Sequence, residues 1–247
     1  MKIGMITNYW LPHIGGIELY TYEVAKRLIQ TGYQVEILTA MQNNCSKKEI
    51  IEGISVTRID SINYLEKIGV PYPIFYPSVF KEIKEFVIRC DLIHGHGHPY
   101  FSSFLGSKYS NKYKKPFVLT IHNSFINYEN PFLNFMERIN DSVISKRTIQ
   151  RANAIISTCK YIDDYIKNFD SKLNTTIIYN GIDQNLFYPV ADKDKKKIRK
   201  NLNLPTESTI CLTVGRITYK KGIDILLRIA KNIKEKNIIF LIVGSGH

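Results

Sequence analysis

Arg216 and Lys221 stand between two segments of different periodicity. Thr209 to Val214 is an apolar run that reads as a buried strand. From Gly222 to Asn232, Ile223, Leu226, Leu227 and Ala230 fall on one helical face. Both cations therefore belong to a strand-to-helix loop at the carboxyl end of a strand, where open α/β sheets bind their ligands. A guanidinium fork, an ammonium point charge and the bare N–H groups of a helix start can together hold phosphate. The plain alternative is two solvated cations on a surface loop; the Gly215-Arg216 start and Lys221-Gly222 end of the loop favour the anion site.

A second candidate is Gly15-Gly16-Ile17-Glu18, in the loop after the first strand. Two glycines before a helix leave the backbone open to close approach, because no Cβ intervenes. Such a start suits phosphate, although paired glycines also make ordinary tight turns. The dinucleotide fingerprint G-x-G-x-x-G is absent. Glu18 falls in the first helical turn, where a carboxylate favours the helix dipole, and that capping role is the one expected of it.

Histidines supply the third group. His94, His96 and His98 alternate, so on an extended strand they would share a face, and a metal reading is geometrically open. Gly95 and Gly97, however, suggest a strand that is ending. His122 follows the apolar run Pro116 to Ile121 and stands just past a strand end, a position suited to touching a ligand.

These groups need a frame, and the first half of the chain reads as repeated strand–helix units. Residues 2–7 form a strand, about 17–31 a helix closed by Gly32, and 34–39 a second strand. Parallel pairing and a right-handed crossover follow. Ile54–Ile59, Pro116–Ile121, Ala152–Thr158 and Thr175–Tyr179 read as further strands. Helices are expected near Ser78–Cys90, Asn134–Arg151 and Lys160–Phe169. Tyr72 to Pro77 is a rigid aromatic loop of the kind that lines acceptor sites or simply packs. Asn180-Gly181 is a turn signal, and Pro189 ends the segment.

Composition bounds the rest. The 247 residues suffice for one large or two small domains, with 44% hydrophobic and 23% charged residues. No apolar run reaches the ~18 residues that cross a bilayer, and residues 1–6 lack a signal-peptide core. Cys45, Cys90, Cys159 and Cys211 are scattered and read as free thiols of a cytoplasmic protein. The net charge of +12 calls for an anionic partner. No nucleic-acid motif accompanies it, so an anionic membrane surface is the expected bulk partner, with Lys108–Lys115 as its patch; a solubility surplus explains the charge equally well.

Gly215-Arg216 with Lys221-Gly222 resembles the donor-phosphate loop of the family 4 retaining glycosyltransferases, which have the GT-B fold. Gly15-Gly16-Ile17-Glu18, Asp91-Leu92-Ile93-His94-Gly95-His96, Thr120-Ile121-His122 and Asn180-Gly181-Ile182-Asp183 resemble further stretches of the same family in the same order. Tyr179 stands where the family usually has proline. The resemblance implies that Arg216 and Lys221 grip the diphosphate of a nucleotide-sugar, and that Gly15 and Gly16 face it from the opposite domain. It further implies that His122 contacts the donor sugar and reacting centre, and that His96 or His98 points toward the cleft and the acceptor. The family's two glutamates, spaced by seven residues, have no counterpart in the chain.

The expectation is thus an α/β protein of GT-B type. Residues 1–189 would form a Rossmann-like, acceptor-side domain, and 190–247 the incomplete start of a nucleotide-sugar-binding domain. The function implied is sugar transfer from a nucleotide-sugar to a lipid or glycan hydroxyl with retention, the 247 residues being inactive by themselves. His122 is the expected catalytic residue, and Gly15, Gly16, His96, Arg216 and Lys221 bind substrate. Neither a metal nor a cofactor enters, since the nucleotide-sugar is a substrate. A GT-B sugar-nucleotide epimerase and a non-catalytic partner subunit are the alternatives. The expected location is cytoplasmic, peripheral at the inner face of the membrane.

Overall fold

The computed structural model describes residues 1–42, 44–65, 70, 72–128, 130–218 and 221–246. Contacts divide the chain into two compact units, Met1–Gly181 and Ile182–His247; the division read from Pro189 falls eight residues later.

The strands of the first unit are β1 (Lys2–Ile6), β2 (Gln34–Ala40), β3 (Lys48–Ile51), β4 (Ile54–Ile59), β5 (Ser61–Ile62), β6 (Ile74–Phe75), β7 (Leu92–His96), β8 (Phe117–Ile121), β9 (Ala154–Ser157) and β10 (Thr175–Ile177). Its helices are α1 (Gly16–Gln30), α2 (Val79–Arg89), α3 (Phe101–Lys112), α4 (Pro131–Asn140), α5 (Lys146–Gln150) and α6 (Lys160–Lys167). A π turn, Asp141–Ser145, joins α4 to α5. Eight strands form one sheet in the order β10-β9-β8-β7-β1-β2-β4-β3. All pairs in it are parallel except β3 with β4. The strand order reverses at β1, whose neighbours are β2 and β7, so the carboxyl ends of β1 and β7 mark the switch point of the sheet.

Strand alternation sorts the core into two layers. Ile3, Met5, Val35 and Ile37 pack with Trp10 and Ala25 under α1. On the other face Ile6, Leu38, Ile93 and Leu119 meet Ile83, Phe86 and Leu105 of α2 and α3. Gly4 permits that second layer: a Cβ there would lie 2.6 Å from the Phe86 ring. Glu36, on the same face, is held by Arg89 of α2 and by Lys2, whose Nζ lies 2.7 Å from it. Burial pushes the Glu36 carboxyl up, but the two cations outweigh it and hold the group below the usual range.

The buried Arg58 of β4 donates to the carbonyls of Ser46 and Leu11, both at 2.8 Å. It thereby ties the loop after β1 to the antiparallel edge. Trp10, the single tryptophan of the sequence, is wholly buried in that loop, and its carbonyl accepts from Gln42 at 2.8 Å.

In the second unit α7 (Asp192–Asn201) precedes β11 (Thr209–Val214), α8 (Ile223–Asn232) and β12 (Ile238–Val243). β11 and β12 pair in parallel, a single βαβ unit. Among the described residues of this unit Ile223 is the one buried hydrophobic, while Leu212, Val214, Ile225 and Leu227 are exposed.

Candidate functional site

Alternation places His94 and His96 of β7 on the α1 face of the sheet, opposite Ile93 and Gly95. Their ring centroids are 4.2 Å apart. His94 Nε2 lies 2.7 Å from Thr120 Oγ1, and His96 Nδ1 lies 3.3 Å from His122 Nε2. Tyr20 of α1 lays its ring edge-on against both, with centroids 5.9 Å from His96 and 4.8 Å from His122. β7 and β8 therefore deliver the two expected histidines to one spot.

His98 goes elsewhere. β7 ends at His96, and Gly97 turns the chain with φ of +87°. A side chain at 97 would strike the Tyr100 ring at 2.4 Å, so glycine is required twice over. His98 then meets Tyr165 OH at 3.2 Å, and its Nε2 lies 3.7 Å from Asp141. The shared face that alternate spacing suggested holds for His94 and His96 only.

Burial sets the charge of the group. It lowers His94 to about 4, His98 to about 3 and His122 to about 3, and it takes His96 well below its usual value. A pKa of about 3 leaves roughly one imidazole in 10⁴ protonated at pH 7. The cluster is a set of neutral hydrogen-bonding rings. Two of its buried nitrogens, His96 Nε2 and His98 Nδ1, have no partner among the described residues.

The glycine pair divides in role. Gly15 has an extended backbone, and its carbonyl accepts from Leu19 N at 3.0 Å, starting α1. Glu18 folds back over it: a Cβ on Gly15 would lie 2.3 Å from Glu18 Oε2. Glu18 Oε1 lies 3.1 Å from His13 Nδ1. The carboxylate thus occupies the helix start, as its first-turn position led one to expect. Gly16 differs, since a Cβ there would meet nothing within 4 Å. Its backbone borders open space, on the same helical face as Tyr20 one turn on.

In the second unit Arg216 and Lys221 are both exposed and flank the loop between β11 and α8. Tyr219 and Lys220 of that stretch lie outside the described residues, as does His247. Gly222, the residue before α8, has φ of +67°. Gly215 N donates to Val243 O at 3.0 Å, and Ile217 N to Ser245 O at 2.8 Å. A Cβ on Gly244 would lie 1.8 Å from Gly215 O, and one on Gly246 2.1 Å from Ile217 O. The segment after β12 therefore fixes the path of the Arg216 loop. Sequence reading passed over Gly244 and Gly246; parallel pairing of β11 with β12 is what makes them partners of Gly215. Tyr20 and Thr120 were missed for a similar reason, because only the sheet order brings them to the histidines.

The model of Glycosyltransferase Family 4 matches residues 14–186, and that of Glycosyl transferases group 1 matches residues 194–247. The chain belongs to glycosyltransferase family 4. It is 26% identical to an uncharacterized glycosyltransferase of Methanocaldococcus jannaschii, with all of this chain aligned to 63% of that protein. The chain thus spans less than two thirds of the length of that relative. Among solved structures, sucrose-phosphate synthase from Thermosynechococcus elongatus superposes with a TM-score of 0.71 at 22% identity, over 98% of this chain and 62% of the other. HepE of Anabaena in complex with UDP-glucose gives 0.70 at 19% identity, over 99% and 61%. The fold of this family member is accordingly α/β of GT-B type, as the resemblance implied.

Proposed function

We propose that this family 4 protein takes part in transferring a sugar from a nucleotide-sugar to an acceptor hydroxyl, with retention of configuration. The carrying observation is the neutral His96–His122 pair, set at the ends of β7 and β8 under Tyr20, with the open backbone of Gly16 on the same face of α1. The complex of the HepE neighbour with UDP-glucose supports a nucleotide-sugar as donor.

In this reading the bond from the anomeric carbon to the diphosphate breaks. A bond to the acceptor oxygen forms on the same face, and the hydroxyl proton passes to the departing phosphate oxygen. Negative charge grows on the diphosphate, so the largest demand is electrostatic. Arg216 and Lys221 meet it with a fork and a point charge, and the amides at the start of α8 add N–H donors. His122 holds the sugar through neutral hydrogen bonds; His96, expected to face the acceptor, is wholly buried and instead orients His122 from behind. A lipid or glycan supplies the hydroxyl, and the +12 charge draws the protein to an anionic membrane surface.

Calorimetric titration with UDP and with GDP tests the donor assignment. Arg216→Ala and Lys221→Ala should each weaken binding by ~1.5–3 kcal/mol, the value of one charge-assisted contact. Unchanged affinity in both variants removes the assignment.

A further inference from the structure

The helical segment from Pro131 to Gln150 carries more apolar surface than its fold uses. It starts firmly: Asn130 Oδ1 accepts from Phe132 N at 2.9 Å, and Pro131 needs no donor partner there. Its inner side holds Glu137, whose two carboxylate oxygens each accept from Tyr72 OH at 3.1 Å, together with the buried Ser145, Thr148 and Ile149. On the outer side stands a second apolar row. Phe132 is 67% exposed, Phe135 59%, Met136 47%, Ile139 43% and Val143 39%. Positions 132, 135, 136, 139 and 143 fall on one stripe of a helix.

The fully exposed charges beside this row are cationic. Arg138, Lys146 and Arg147 are exposed. Of the two carboxylates on the segment, Glu137 is buried and Asp141 accepts from Tyr165 OH at 2.6 Å. Arg138, Ser142 and Lys146, each one turn from the next, also line an open depression of about 510 Å³ with Asp141, Asn168 and Phe169. A row of aromatic and aliphatic side chains, with cations along its flank and a hollow next to it where Arg138 and Lys146 outnumber Asp141, has the layered chemistry of the boundary between acyl chains and phosphates.

We propose that the helical segment from α4 through the π turn into α5 docks on a membrane. Phe132, Phe135, Met136, Ile139 and Val143 enter the acyl boundary of an anionic leaflet, while Arg138 and Lys146 receive a lipid phosphate in the hollow between them. This rests on the anionic-membrane reading above and gives it a location different from Lys108–Lys115. It requires no sugar transfer, so it can be tested apart from the donor site.

Vesicle co-sedimentation at physiological salt decides it, using phosphatidylcholine alone and phosphatidylcholine mixed equally with phosphatidylglycerol. The parent protein should favour the mixed vesicles. Phe135→Ser with Ile139→Ser, and Arg138→Gln with Lys146→Gln, should each weaken that binding about tenfold or more. Lys108→Gln with Lys112→Gln removes the same charge as the second pair and should leave binding within about threefold. The substituted side chains are exposed, so circular dichroism should match the parent. Parent-like binding by the serine variant, or equal losses from both lysine-containing charge variants, overturns the helix assignment and leaves the membrane reading intact. No preference of the parent for mixed vesicles overturns both. A concentration-dependent dimer abolished by the serine variant, without vesicle binding, assigns the row to a second copy instead.

Discussion

His96 Nδ1 and His122 Nε2 lie 3.3 Å apart across neighbouring parallel strands. One of these nitrogens must carry the proton and the other accept it, so the two tautomers are set jointly. Burial keeps both rings neutral. A substrate touching His122 would thus meet a ring whose orientation is fixed by its neighbour.

The same burial makes stability depend on pH. An unfolded histidine binds its proton near pH 6.5, whereas folded His94 does so only near 4. Between those values the unfolded state holds more protons, so stability falls as pH drops through this window and is level above it. His94 alone should cost ~2 kcal/mol between pH 7.5 and 5. Urea denaturation at the two pH values, followed by circular dichroism, should show this loss reduced by about that amount in His94→Gln. An identical loss in parent and variant would refute the neutral assignment. Glu36 works in a lower window: its depressed carboxyl contributes stability above its ordinary range, and that contribution is lost only as pH falls further.

Gly15 and Gly16 should part company on substitution. Gly15→Ala puts a methyl onto the far end of the flexible Glu18 side chain, which must swing off His13 and the helix start, at a cost of up to ~1 kcal/mol of stability. Gly16→Ala meets open space and gains helix propensity, so stability should hold or rise by up to ~1 kcal/mol. On the proposed donor reading the added methyl would hinder a diphosphate, and UDP affinity should fall. Thermal melts paired with calorimetry check both halves. Full UDP affinity in Gly16→Ala would take this backbone out of the donor site.

Gly244→Ala should act on Arg216 at a distance. No flexible side chain can yield there, because the clash is with the Gly215 carbonyl itself. The Arg216 loop must shift, and nucleoside-diphosphate binding should weaken by ~1.5 kcal/mol or more, as if the Arg216 contact were lost. Gly181→Ala, where a Cβ meets nothing within 4 Å, is the control and should bind like the parent. Equal affinity in all three proteins would show that the two loops are independent.

Much of this architecture was legible in the sequence because each element carries its own period. The strand around Ile3 to Ile6, the helix from Gly16 to Gln30 and the strand from Phe117 to Ile121 all lie within a residue or two of where apolar spacing puts them. The antiparallel edge was not legible: Lys48–Ile51 is short and half-exposed, and pairing with β4 rather than its own composition makes it a strand. The π turn at Asp141–Ser145 also left no mark, since hydrophobic spacing continues through it. At the site His122 and His96 were readable from their places at strand ends. Their contact was not, because it depends on β7 and β8 being neighbours in register, with His96 opposite Thr120.

Trp10 makes the first unit optically distinct. The chain has one indole, it is wholly buried, and it sits in the loop that leads into Gly15 and Gly16. Its emission therefore follows the integrity of Met1–Gly181, the unit that holds it. Excitation at the red edge of the absorption band, where tyrosine is silent, would report the melting of that unit without any label.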